Sequence, residues 1–249
     1  MPISIDIVDA SGDVGRVVVA EIVEWFKVVD ATWSTYREDS VITRFARGLI
    51  PVEALTDEMH AVLDRCEELT IDTNGAFDIH VPAPNGTMLE PSGFIKGWAV
   101  EQAANIIRAH KFTDFCLNAG GDLAIGGNPQ PGKKWRVGIR HPHDPGLVAD
   151  VLELDGTWAL ATSAVYERGQ HIIDPRTGEP ADEVLSVTVL GHDLSIVDAH
   201  ATALFVLGVD GLEWILEHGG EAMMITKEGS CLATPGYDQY RLLPTATAS

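Results

Sequence analysis

Basic residues are scarce in this chain: 17 Lys and Arg face 37 Asp and Glu, for a formal net charge of −20. Nucleic acids and anionic membrane surfaces are bound by clustered Lys and Arg, so this balance argues against both as partners. It also repels an anionic nucleotide. Any nucleotide site must bring its own positive charge, and a metal ion is the obvious source. Cysteine is scarce too. Cys66, Cys116 and Cys231 are odd in number, far apart and without CxxC spacing, which argues against a disulfide framework or a zinc site and predicts buried free thiols in a reducing compartment. No apolar run approaches the roughly 20 residues of a membrane helix, so no membrane insertion is expected. The first residues lack the basic and apolar regions of a signal peptide, which makes the cytoplasm the expected location. GxGxxG and GxxxxGK[ST] are both missing, so neither a Rossmann nor a Walker phosphate loop is present.

What is present is a 249-residue chain with 45 % hydrophobic and 22 % charged residues, suited to one globular domain over 1–249. Met1–Ile7 alternates like a strand. Val14, Val18, Ile22, Phe26 and Val29 form one helical stripe. A second helix starts at a Thr56 cap and buries Met59, Val62, Leu63, Cys66 and Leu69; a third carries Val100, Ala103, Ile106 and Ile107. Strands are expected at Trp135–Ile139, Val151–Leu154, Ala159–Thr162, Ser186–Leu190 and Ala222–Thr226, with a helix from about Ile196 to Leu207 closed by Gly208. Helices stand between groups of strands, which predicts an α+β fold with mainly antiparallel sheets flanked by helices. Gly126–Lys134 reads as a loop, and the tail 244–249 as disordered.

Five polar segments interrupt this apolar pattern. Trp33–Ser40 reads as a polar connection leading to Arg44-Phe45. Gly75–Asp78 is a Gly turn that sets Phe77 beside a carboxylate, usable for stacking a flat ring but equally a turn plus a core Phe. In Glu90–Ala99, Ser92, Gly93 and Gly97 allow close backbone approach, and Lys96 sits where a helix is expected to begin, a natural phosphate cradle. Asn118–Leu123 has a strand after it. Ala161–Arg168 and His171–Gly178 contain Ser163, His171 and Asp174, which lack the GxSxG elbow of a serine hydrolase. Asp198 and Thr202 are four apart, on one helical face, and could offer oxygens to Mg²⁺. Ser195 and Asp198 also have the spacing of a capping box, which would account for Asp198 without a metal. Both readings stay open.

In this order, STY…RF, GAFD, SGxxKGxA, NAGGD, TSxxYER…HIIDPRTG and SVTV…DAxAT make the chain resemble the ApbE family of FAD:protein FMN transferases from about Ile3 to Leu243. The resemblance implies an α+β fold that binds extended FAD with Mg²⁺ at the pyrophosphate. It implies attack of a Thr or Ser hydroxyl of an acceptor flavoprotein on the FMN phosphorus, with AMP leaving. By position, Tyr36 would flank a ring of FAD, and Ala76, Phe77 and Asp78 would line its pocket. Glu90, Lys96 and Ile172 would contact it. The Gly93 carbonyl, Asp198 and Thr202 would hold the metal, and His171 would be the base.

There are departures. The several dozen residues usual between Asp78 and Glu90 are cut to a short Pro-rich loop, a shortening expected to alter the target-protein surface by removing part of a lid. Glu90 stands for Asp, Ala164 for Gly and His200 for Leu. Two alternatives use the same residues: a FAD pyrophosphatase with water as nucleophile, and a non-catalytic FAD-binding module. No acceptor-type motif is found within the chain.

Overall fold

The computed structural model describes residues 1–10, 12–83, 86–144, 146–165 and 172–242; His171 and the tail 244–249 lie outside them. Seven strands make one antiparallel sheet in the order β1-β4-β5-β8-β9-β10-β11. They are β1 (Ile3–Ile7), β4 (Phe115–Ala119), β5 (Asp122–Gly126), β8 (Trp158–Ala164), β9 (Val184–Gly191), β10 (Glu221–Thr226) and β11 (Cys231–Ala233). Two hairpins stand apart from it: β2 (His80–Ala83) with β3 (Gly86–Leu89), and β6 (Trp135–Arg140) with β7 (Val148–Leu154). The helices are α1 (Gly12–Trp33), α2 (Val41–Ala46), α3 (Asp57–Asp72), α4 (Ser92–Ala109), α5 (Leu194–Leu207) and α6 (Gly211–Glu217).

Both faces of the sheet are covered, which is why β9 and β10 read as near-continuous apolar runs rather than alternating ones. On β10, Ala222 and Met224 pack towards the helices while Met223 and Ile225 join the β6–β7 hairpin and Tyr237 on the other face. The helix side carries small residues at Ala119, Ala124, Ala159, Ala161 and Ala222, packed in one cluster with Ala103, Ala104, Val197 and Ala201 from α4 and α5. A second cluster joins α3 and the end of α1 to the outer side of α4 and α5.

The helix pair α4–α5 sets the geometry of everything that follows. A Cβ at Gly97 would lie 2.3 Å from the Leu194 carbonyl oxygen and 2.6 Å from the Asp198 Cβ, so only glycine lets the helices meet. The junction is also hydrogen-bonded. Glu101, buried in α4, accepts from the Leu194 N–H at 3.1 Å and so satisfies one of the orphan donors at the start of α5.

Several sequence expectations are corrected. Cys66 is buried, but Cys116 is half-buried and Cys231 exposed. Val14 is exposed at the start of α1, whereas Val18 and Ile22 are buried. The Pro-rich loop after Asp78 is the β2–β3 hairpin, paired from His80↔Leu89 to Ala83↔Gly86. The Trp33–Ser40 connection ends in a short helix, α2, capped by Ser40 accepting from the Thr43 N–H. The stretch Leu194–Glu217 is long and apolar enough to cross a bilayer, with mean hydropathy 1.3, but most of it is buried in the fold and Gly208 (φ 64°) interrupts it.

Candidate functional site

A cleft of about 770 Å³ opens between the end of α1, the β2–β3 hairpin, the first turns of α4, the end of β8 and the middle of α5. Its lining brings together ten of the eleven residues singled out from the sequence: Tyr36, Ala76, Phe77, Asp78, Glu90, Gly93, Lys96, Ile172, Asp198 and Thr202. The eleventh, His171, lies outside the described residues, next to Ile172.

Tyr36 projects at the rim, 77 % exposed. Its loop is held from below by Ser40, whose hydroxyl donates to the Ser34 carbonyl at 2.7 Å. Ala76–Asp78 follows the αL residues Asn74 (φ 50°) and Gly75 (φ 76°), which end α3 and turn the chain back into the cleft wall. The Thr73 hydroxyl accepts from the Phe77 N–H at 3.0 Å and fixes that turn. Phe77 itself is buried in the α3–α4 cluster. Asp78 accepts from the His80 N–H at 2.7 Å, an Asx turn that leads into the hairpin.

Glu90 is turned inward. One carboxylate oxygen accepts from the Ser92 N–H at 3.2 Å and from the Ser92 hydroxyl; the other accepts from the Thr35 hydroxyl at 3.1 Å. Glu90 therefore caps α4 from outside and ties the Tyr36 loop to that helix. Thr35 was missed from sequence because nothing in its spacing shows a partner 55 residues on.

Two expectations about charge and capping change here. Helix α4 begins at Ser92, so Lys96 is a full turn inside it rather than at its N-terminus. Its ammonium lies 2.7 Å from the fully buried Asp122 carboxylate. The capping-box account of Asp198 fails as well. Helix α5 begins at Leu194, and its cap is Asp193, which accepts from the Ser195 N–H at 2.9 Å. Asp198 sits a turn further in, 3 % exposed, and accepts from the Gly97 N–H at 2.8 Å.

Asp198 shares the cleft wall with other oxygen-bearing residues, Ser163 and Thr202 among them. Thr202 is one turn along the same face, its Oγ1 3.4 Å from the Ser163 Oγ of β8. A Cβ on Gly93 would lie 3.0 Å from that same Thr202 oxygen, so the first turn of α4 and the middle of α5 are in contact. A carboxylate with hydroxyls, to which the Gly93 carbonyl expected from the sequence would add, is the donor set of a hard cation such as Mg²⁺ rather than of zinc. The surrounding charge fits the same ion: among the described residues lining the cleft, Lys96 is the one Lys or Arg, against Asp30, Asp78, Glu90 and Asp198.

Beside this cluster, residues 172–181 form a closed turn. Arg176 grips Asp174 with two bonds of 2.9 and 2.8 Å and holds its carboxyl below the usual range. The Asp174 carbonyl accepts from the Thr177 and Gly178 N–H groups. Ile172, Ile173 and Pro175, on the inner side of the turn, line the cleft.

The sequence profile described as the ApbE family matches residues 1–84 and 81–225, most of the chain. The chain belongs to the ApbE family. A FAD:protein FMN transferase of Rhodobacter capsulatus is 38 % identical over 157 residues, 59 % of this chain and 30 % of that protein. One from Vibrio cholerae is 33 % identical over 152 residues and is matched over 44 % of its length, so the chain matches less than half of either relative. The solved flavin transferase ApbE from Vibrio cholerae shares the fold at a TM-score of 0.81 and 24 % identity, over 96 % of this chain and 95 % of that one. The ApbE protein from Thermotoga maritima does so at 0.83 and 24 %, with the same coverage. The α+β architecture of this ApbE family member is thus that of its solved relatives.

Proposed function

We propose that this protein transfers FMN from FAD to a Thr or Ser hydroxyl of an acceptor flavoprotein, releasing AMP, with Mg²⁺ bound in the cleft. The observation that carries the reading is the convergence of one buried carboxylate, Asp198, with Thr202, Ser163 and Gly93 at the contact of α4 and α5, in a cleft large enough for a dinucleotide. The names of the relatives point to the same chemistry.

Asp198, Thr202 and the Gly93 carbonyl would hold the cation, which supplies positive charge for a pyrophosphate in an otherwise acidic cleft. Ala76, Phe77, Asp78 and Ile172 would bound the flavin half, and Tyr36 would close over a ring at the rim. Lys96 would meet a phosphate oxygen. In the chemical step the acceptor oxygen bonds to the FMN phosphorus as the bond to the AMP oxygen breaks. The hydroxyl proton passes to His171, an imidazole suited to that transfer near neutral pH. The Asp174–Arg176 turn would hold the adjoining segment in place.

Incubation with FAD, Mg²⁺ and candidate flavoprotein subunits, read by intact mass, tests this. The acceptor is expected to gain one FMN while AMP appears in equal amount. Release of FMN and AMP with the acceptor unchanged would identify a pyrophosphatase, and intact FAD throughout would leave a binding module.

A further inference from the structure

Asp122 does not line the cleft, yet its carboxylate reaches two groups that do. It stands at the start of β5, behind a turn made by Gly120 (φ 62°) and Gly121 (φ 100°), and its side chain is fully buried. One oxygen lies 2.7 Å from the Lys96 ammonium. The other accepts from the Thr162 N–H at 3.2 Å. The β5–β8 register runs from Ile125↔Trp158 to Leu123↔Leu160, Asp122 follows it on the same strand, and its bond to Thr162 reaches the residue before Ser163, whose hydroxyl lies 3.4 Å from that of Thr202.

A carboxylate taken wholly out of water is tolerated when cations and N–H donors surround it. The same bonds work in the other direction. Lys96 is on the second turn of α4 with 24 % of its side chain exposed, and a lysine with four rotatable carbons would otherwise sweep a wide volume. The ion pair with Asp122 restrains its ammonium.

We infer that Asp122 is a positioning residue: its buried carboxylate fixes the Lys96 ammonium, and with it the Thr162–Ser163 end of β8, for recognition of the phosphates of a dinucleotide. The inference rests on the proposed FAD site. It differs from a merely structural role in one measurable respect, since a ligand without phosphate should not sense it.

The test compares FAD with riboflavin, which carries the flavin ring but no phosphate. Asp122→Asn keeps an oxygen for the Thr162 N–H and removes the charge that holds Lys96. Calorimetry in the presence of Mg²⁺ should give FAD binding weakened about tenfold, the scale of one charge-assisted contact, and riboflavin binding unchanged. Lys96→Met should do the same, and the double variant should bind FAD no worse than Lys96→Met alone. Equal weakening of both ligands, no weakening of either, or multiplied effects in the double variant would overturn the inference. If Asp122→Asn does not fold, the melting temperatures decide. Lys96→Met leaves a buried carboxylate without its cation, so the double variant should melt higher than Lys96→Met, and a lower value would overturn the pairing. Wild-type protein that binds no FAD would instead defeat the proposed function, with the melting comparison still reporting on the pair.

Discussion

Asp198 is where a single charge and a single hydrogen bond can be separated. Asp198→Asn retains an oxygen for the Gly97 N–H, so the helix contact should survive and the melting temperature should hold. The variant loses the negative charge on which a cation depends, and Mg²⁺-dependent turnover should fall about a hundredfold or more. Turnover at the wild-type rate in millimolar Mg²⁺ would remove Asp198 from the metal site. Glu90 tests the reverse case. Its two oxygens are engaged by Ser92 and Thr35, so Glu90→Ala should cost about 1–2 kcal/mol of stability through the lost cap, seen as a lower denaturant midpoint. At this scale the sequence exposed residue types but not their partners. Asp198 was ambiguous because capping depends on where a helix starts, and Asp193 could not be told from Ser195 as the first residue outside it. Asp122 was visible only as part of a glycine-rich turn, because its partner Lys96 is 26 positions earlier.

Between elements, the decisive contact is α4 on α5. Gly97→Ala would drive a methyl group into the Leu194 carbonyl and Asp198. It should cost about 1–3 kcal/mol, lower the melting temperature and weaken Mg²⁺ binding together. A second contact is sensitive to acid. Burial pushes the His200 imidazole on α5 down to about 4, with His218 and Arg65 adding to the effect and Asp72 opposing it. Because the folded protein keeps this ring neutral and the unfolded chain does not, its share of stability is intact above pH 6.5. It is lost as pH falls towards 4, roughly 3 kcal/mol in all. His200→Leu should flatten that acid limb in denaturant melts across pH 4–7; an unchanged slope would exclude His200 as the cause. The long helices and the central strands were legible because their apolar periods are regular, as with Thr56 capping α3 or the run at Ser186–Leu190. The β2–β3 hairpin was not, since Pro82 in a four-residue strand looks like a loop signal.

For the whole molecule, charge governs behaviour. With a net −20 and, among the described residues, four carboxylates lining the cleft, metal-free FAD should bind weakly, and added KCl should strengthen that binding by screening repulsion. With Mg²⁺ present the trend should reverse. Calorimetry at low and high salt, with and without the divalent ion, reads both signs, and weaker metal-free binding at high salt would show that repulsion does not limit entry. The overall α+β layering was readable from the alternation of helices and strand groups; the strand order was not, because β1 pairs with β4 across more than a hundred residues. The fold also carries its own optical signal. Three of the six tryptophans stand together, Trp25 and Trp33 each edge-on to Trp98 at 5.3 and 6.0 Å, and Trp33 lines the cleft. Flavins absorb where indoles emit, so an isoalloxazine in the cleft would drain the emission of this cluster by energy transfer. Loading would dim the intrinsic fluorescence, departure of FMN on its acceptor would restore it, and each turnover could be followed in real time without a label.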